Sequence, residues 1–335
     1  MKPVVSQTHE MNTAGNFALG VDIGGTKVAA GLVDSEGVIQ FQTRVAMPAR
    51  DSAEAGFAAV RSAIEAVLNA HPDARSDLTG IGICAPGPLD PATGVILNPP
   101  NVPCWRKFPL AAEVQHAFGL AAKVDNDGNA AALAEALWGA GKSYRNVFFA
   151  TLGTGIGTGI VFDRRIYHGR TGSAAEGGHV TIDFRGPVCG CGKRGCIEAL
   201  CSGPAIARRA REQLFALPAA DSILRRLAGG DLAALDAAMV AEAFRKGDSL
   251  AASVLKETAD LLAVWAGNII DLLEPDVFIF GGGVAQLMSA FFGRIQDQLP
   301  NWCVNRRFAE IPMVLAKYGE NAGIAGAAAL CRARP

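Results

Sequence analysis

The chain begins each of its two halves in the same way. Residues 17–22 (FALGVD) are a short apolar run, residues 23–27 (IGGTK) a glycine turn, and 28–33 a second apolar run; a third, 38–45, follows the turn at 34–37. The same order returns at 147–152, the turn 153–157 (GTGIG), 158–162 and then 166–169. Short apolar runs separated by Gly and Asp read as strands joined by tight turns. Strand, glycine turn, strand is a hairpin. It is not a nucleotide P-loop, which needs a helix after its glycines and a Gly-Lys-Ser/Thr order. An internal duplication of topology therefore limits the chain to two related α/β halves.

The remaining segments fill out those halves. A helix is expected over 53–70, where Phe57, Val60, Ile64 and Val67 recur at helical spacing behind a cap at Asp51 or Ser52. Strands follow at 79–85 and 122–125, with helices near 109–118 and 128–139. The second half reads as helices over 204–217, 221–227, 232–246 and 249–273, a strand at 277–280 and a helix at 285–299. A strand at 311–316 and a small-residue helix at 321–331 close it. At 335 residues the chain exceeds one ordinary core, so two domains are expected. We place a small α/β domain at 17–125, joined by a C-terminal helix about 317–335. A large α/β domain spans 126–316, and 1–16 reads as a loose tail.

Only 19% of residues are charged and the formal net charge is -1, which excludes a bias toward nucleic acid. No apolar run is long enough to span a bilayer, and residues 1–16 lack a signal segment. With eight cysteines and no sign of export, the expected compartment is the cytoplasm.

The stretch 176–198, EGGHVTIDFRGPVCGCGKRGCIE, concentrates the chemistry. Cys189, Cys191 and Cys196, with His179 upstream, form a tetrahedral donor set of the structural zinc type. Buried unmetallated thiols are the plain alternative, but three cysteines in a Gly- and Lys-rich loop suit a core poorly. Cys201 is a spare ligand that more readily faces a helix core.

Gly24, Gly25, Gly153, Gly155 and Gly157, with Gly282 and Gly283 after a third strand, leave backbone N–H groups open to a triphosphate. Thr26 and Thr154 add hydroxyls. Lys27 is either a phosphate contact or a strand-edge charge. Asp22, at a strand end, is placed to hold Mg²⁺ through water. Asp127 stands at a helix start beside Asn126, as a cap or as a catalytic base that the helix N-terminus keeps ionised. Asn101, Asn126, Asp127, Glu176, His179 and Glu198 are acceptors and neutral donors without an Arg, a lining that suits a sugar.

These motifs resemble the ROK family of bacterial sugar kinases: DIGGTK at 22–27, NDGN at 126–129, LGTGIG at 152–157, EGGH at 176–179, CGCGKRGCIE at 189–198 and GENAG at 319–323. The resemblance implies a two-domain actin/hexokinase-like (duplicated ribonuclease H-like) fold with a cleft between domains. It implies Asp127 as base, sugar contacts from Asn126, Glu176, His179 and Glu198, and zinc on His179 and the three cysteines. It also implies ATP with Mg²⁺ as the phosphoryl donor to a sugar 6-hydroxyl, and a homodimer or homotetramer. Gly128 departs from the family's usual Ala, which loosens the helix start. The loops DPATGV at 90–95 and NVPCW at 101–105 look most like glucokinases. N-acetylmannosamine, N-acetylglucosamine and fructose kinases are alternatives, and polyphosphate is an alternative donor. A sugar-responsive repressor is a further one, disfavoured because so little chain precedes the first strand.

Overall fold

In the computed structural model, which describes residues 15–218 and 221–332, the glycine hairpins are the seeds of two sheets. The tail expected over 1–16 lies, up to residue 14, outside the described residues, as do 333–335. The first sheet starts as a meander of β1 (Phe17–Ile23), β2 (Lys27–Asp34) and β3 (Ile39–Ala46). From there α1 (Ala53–Ala70) crosses to β4 (Leu78–Ala85). Ser52 caps α1 by accepting the Ala55 N–H at 3.1 Å, and Val60, Ile64 and Val67 are fully buried along one stripe. A small hairpin, β5 (Leu89–Asp90) and β6 (Val95–Ile96), precedes α2 (Leu110–Phe118), β7 (Ala122–Asn126) and α3 (Asp127–Trp138). The strand order is β3-β2-β1-β4-β7, antiparallel through the meander and parallel from β1 to β7.

The second sheet repeats this arrangement. Its meander is β8 (Asn146–Leu152), β9 (Ile156–Phe162) and β10 (Arg165–Ile166). Five helices follow: α4 (Ile197–Cys201), α5 (Gly203–Ala216), α6 (Ile223–Leu227), α7 (Ala237–Arg245) and α8 (Ser249–Leu273). Then come β11 (Val277–Gly281), α9 (Gly283–Met288), α10 (Phe292–Gln298), β12 (Met313–Leu315) and α11 (Ala322–Leu330). The order β10-β9-β8-β11-β12, with the same pairing senses, makes the duplication one of strand order as well as of glycine turns.

Three segments differ from their sequence expectation. The strand expected to reach residue 169 stops at Ile166, because the chain turns away and His168 pairs with Asp125 on the first sheet. The helix expected over 232–246 breaks at Asp236, whose carboxylate accepts the Met239 N–H at 2.8 Å and starts α7 anew. The helix expected over 285–299 is divided by a 3₁₀ turn at Ser289–Phe291.

Helices α3 and α11 lie between the sheets. One face of α3 packs with α11 against the first sheet, through Leu133, Ala134, Ile324 and Ala328. Another face, Ala131, Ala132 and Ala136, packs on Val147, Phe149 and Ile279 of the second. The approach is too close for side chains at several points; a Cβ on Gly82 would lie 1.7 Å from the Ala327 carbonyl oxygen. Gly128 belongs to the same packing. A Cβ there would meet the Thr158 carbonyl at 2.5 Å, so glycine at the helix start admits β9 rather than merely loosening the turn.

Glu135 fastens this layer. It is fully buried, and its carboxylate accepts the N–H groups of Ala140 at 2.8 Å, Lys317 at 2.8 Å and Tyr318 at 3.0 Å. Truncation orphans three N–H groups, each costing about 1–3 kcal/mol if left dry. Glu135→Ala is therefore expected to lower unfolding free energy by about 2 kcal/mol or more, read from urea denaturation.

Candidate active site

The β7–α3 junction separates two roles that the sequence left undivided. Asn126 is the cap, its side chain accepting the Gly128 N–H at 2.9 Å. Asp127 also reaches that N–H, at 2.8 Å, but otherwise opens into a cleft of about 330 Å³ whose walls include Asn126, Gly157, Thr158 and Glu176. The residue is exposed to the cleft, yet enough protein surrounds its carboxyl to desolvate it. Burial pushes its carboxyl above the ordinary value, and the negative charges of Asp22 and Glu176 push the same way. The Gly128 N–H pulls it down, less than burial pushes it up. In the direction of the shift, desolvation outweighs the N–H groups of the helix start. A carboxylate raised in this way is a better proton acceptor than an ordinary one.

Asp22, at the end of β1, is likewise raised by burial. The Cys84 thiol donates to it at 3.4 Å, and Lys27 and Arg44 offset only part of the effect. An under-compensated carboxylate here suits a cation.

The Glu176–His179 turn is pinned from two sides. Thr158 donates its hydroxyl to the Ala175 carbonyl and accepts the Gly177 N–H at 2.8 Å. The indole of fully buried Trp265, on α8, donates to the Gly177 carbonyl at 2.9 Å. Beyond the turn, His179, Cys189, Cys191 and Cys196 bring one donor atom each within 4.8 Å of one another. His179 Nδ1 is 3.6 Å from Cys189 Sγ, and Cys191 Sγ is 3.7 Å from Cys196 Sγ. A tetrahedral site with metal–S of about 2.3 Å and metal–N of about 2.0–2.1 Å has edges of about 3.6–3.8 Å, which these two separations match, and three thiols with one imidazole are donors that suit zinc. Cys201 is not part of it; it is buried against α8, with Sγ 3.8 Å from the Thr258 carbonyl.

Glu198 joins this cluster to the second glycine turn. Its Oε2 accepts the Ile156 N–H at 2.9 Å and its Oε1 lies 3.9 Å from His179 Nδ1. A Cβ on Gly155 would stand 2.6 Å from Oε2, so that glycine makes room for Glu198. Neither His179, Glu198 nor Asn101 lines the Asp127 cleft. Asn101 lies against the β1–β2 turn, where a Cβ on Gly25 would meet its carbonyl oxygen at 2.8 Å.

A second cleft, of about 580 Å³, is walled by Gly153, Thr154 and Gly283 together with Gly203, Pro204, Ala237 and Leu287. Gly24, Gly25, Thr26, Lys27, Gly155, Gly157 and Gly282 do not line it. The start of α5 meets the turn directly, Gly203 donating to the Gly153 carbonyl at 2.8 Å. Sequence reasoning missed the α5 and 235–241 walls of this largely apolar cleft. The signals were Gly203-Pro204 as a bare helix start and the Asp236 cap within a run read as one helix.

Comparison with known proteins bears on what this arrangement does. The ROK family model matches residues 18–334. A glucokinase of Streptomyces coelicolor is 36% identical, over 94% of this chain and 98% of its own length. The crystal structure of a ROK family glucokinase from Streptomyces griseus, in complex with glucose and AMPPNP, is 36% identical and superposes with a TM-score of 0.76, covering 94% of this chain and 99% of that one. A ROK family transcriptional regulator superposes with a TM-score of 0.83 at 26% identity, over 96% of this chain and 79% of that one. The fold is thus the two-domain actin/hexokinase-like one. It serves catalysts and regulators alike, so the site must decide between them.

Trp265→Phe keeps the ring but frees the Gly177 carbonyl. We expect a loss of about 1–2 kcal/mol in urea denaturation.

Proposed function

The chain belongs to the ROK family, and on that premise we propose that it is an ATP-dependent glucokinase, with Asp127 as the base that activates the glucose 6-hydroxyl. The observation that carries the reading is Asp127 itself, a carboxylate of raised pKa that opens into a cleft with no Arg or Lys in its walls. A neutral polyol suits that lining. Asp127 accepts the 6-hydroxyl proton as its oxygen attacks the γ-phosphorus of ATP; the bond to the bridging oxygen breaks, and ADP leaves. Asn126 and Glu176 hold sugar hydroxyls in the same cleft. Closure of the two domains, 17–125 with the C-terminal helix over 126–316, brings Asn101 to the sugar and excludes water, while His179 and Glu198 share the domain of Asp127 and meet the sugar at the edge of its cleft.

The larger cleft takes the nucleotide, its apolar wall facing the adenine and Gly153, Thr154 and Gly283 the phosphates. The β1–β2 turn, Gly24 to Lys27, meets the terminal phosphate. Asp22 holds Mg²⁺, which when bound neutralises charge on the phosphates. His179, Cys189, Cys191 and Cys196 would hold a structural zinc, which would staple the loop whose ends carry Glu176 and Glu198 and would leave His179 Nε2 free for a sugar hydroxyl. As a member of this family the chain is expected to work as a homodimer or homotetramer in the cytoplasm, where MgATP and free sugar meet. Among the described residues no helix is long and apolar enough to cross a membrane.

Coupled ADP release with MgATP is the test, against glucose, mannose, fructose, N-acetylglucosamine and N-acetylmannosamine. Glucose should be preferred; an N-acetyl sugar in its place keeps the mechanism and changes the substrate. Asp127→Asn should cut kcat by about 10²–10⁴-fold while glucose still binds. Retained turnover would remove Asp127 from the base role and favour a regulator. Because the base must be ionised, kcat/KM should fall as the pH drops through the raised pKa of Asp127. The acid limb should therefore lie above the ordinary aspartate value of about 3.9. Metal analysis should find zinc at about one per chain, lost together with activity in Cys191→Ser. A metal-free, active protein would sink the zinc site.

A further inference from the structure

Asp125 is the residue immediately before the Asn126-Asp127 pair, and it does not face the substrate cleft. It is buried, and its carboxylate is fully engaged. Oδ1 accepts the Asn126 backbone N–H at 2.8 Å and the Asn129 side-chain amide at 3.0 Å. Oδ2 lies 2.6 Å from His168 Nε2. Asn126 and Asn129 bracket Asp127 in the first turn of α3, so Asp125 sets where that turn begins. His168 comes from the other sheet unit, on the loop that leads from β10 to Glu176. Its own carbonyl accepts the Ala174 N–H at 3.2 Å within that loop. One pair thus ties together the base and the loop bearing Glu176.

We propose that His168 is a positioning residue for phosphoryl transfer: through Asp125 it holds the β7–α3 junction so that Asp127 points at the sugar hydroxyl. This rests on the reading of Asp127 as the base. His168 touches neither the sugar cleft nor the nucleotide cleft. It lines a different one, of about 670 Å³, beside Lys123, Arg165 and Arg170.

An exposed His–Asp contact would be an ordinary surface pair with little effect. This one differs because the Asp125 side chain is 5% exposed, while that of His168 is 36% exposed. Without His168, Oδ2 is a buried acceptor with no partner. Asp125 then swings toward water, which loosens its hold on the Asn126 N–H. The Asp125 hydrogen bond raises the His168 pKa, which favours the doubly donating imidazolium in this place. A displacement of about 1 Å at a reacting group can cost up to 10²-fold in rate.

The test uses the full chain, MgATP and the sugar that the wild type turns over fastest. His168→Ala should lower kcat by about tenfold or more, with KM for sugar and ATP within about threefold and the melting temperature little changed. His168→Gln, which keeps a donor in reach of Oδ2, should recover part of the loss. Free imidazole should do the same for His168→Ala, since the cleft that holds His168 is open to solvent. A kcat within twofold of wild type overturns the inference. So does a loss that follows the melting temperature and that neither glutamine nor imidazole repairs, which marks a merely structural pair. A wild type inactive on every sugar would instead remove the kinase reading on which the inference stands. An active wild type with an unaffected His168→Ala removes the inference alone.

Discussion

The structure depends on how little α3 carries outside its backbone. This helix lies between two sheets and against a second helix, α11; alanines alone meet the second sheet, and Ala134 with Leu133 and Trp138 faces the first sheet and α11. Larger side chains would push the sheets apart and separate Asp127, at the helix start, from the groups around it. The closeness has a polar consequence, because the chain before α11 brings backbone N–H groups into a dry region. Glu135 satisfies them from the far end of the same helix. One short helix therefore presents a reactive carboxylate at its first residue and anchors the closing segment near its last turn.

A second chain of dependence runs from the core of the larger half to the metal-ligand loop. Trp265, fully buried on α8, holds the Gly177 carbonyl, and the Gly177 N–H is held by Thr158. His179 follows as the first of the four donors. Glu198, just past the last cysteine, returns to the glycine turn through Ile156. The loop is thus held to β9 at both of its ends and to the long helix at Gly177. A metal ion in the four-donor cluster would stiffen this loop at its most exposed point, where Cys191 reaches solvent.

Electrostatics give the cleft its character. Asp22, Asp127 and Glu176 stand close enough for the first and last to raise the pKa of the second, and Lys27 and Arg44 act on Asp22 without neutralising it. Such a site repels anions and draws hydroxyl donors and cations, in keeping with a neutral sugar and a metal-bound nucleotide. The same repulsion helps Asp127 to take a proton, since protonation relieves it.

Local features of the sequence established a great deal. Strands broken by glycine turns announced the duplication, because a tight turn needs particular residues wherever it occurs. Three cysteines and a histidine with ligand spacing announced the donor cluster, because short loops limit where such side chains can point. What lay beyond the sequence depends on residues distant along the chain. The apolar cleft beside Gly153 takes its walls from α5, the turn before α7, and α9, and no local pattern links them. The upward direction of the Asp127 pKa shift was not legible, because a helix N-terminus is visible in sequence and desolvation is not. Asn101 was grouped with the sugar residues by chemical type, and its place beside the β1–β2 turn came only from the packing. Gly128 resembled a flaw in a helix until β9 was seen crossing it. Short-range chemistry is written in neighbouring residues, whereas burial, and with it the strength of every charge, is decided only when the two halves pack together.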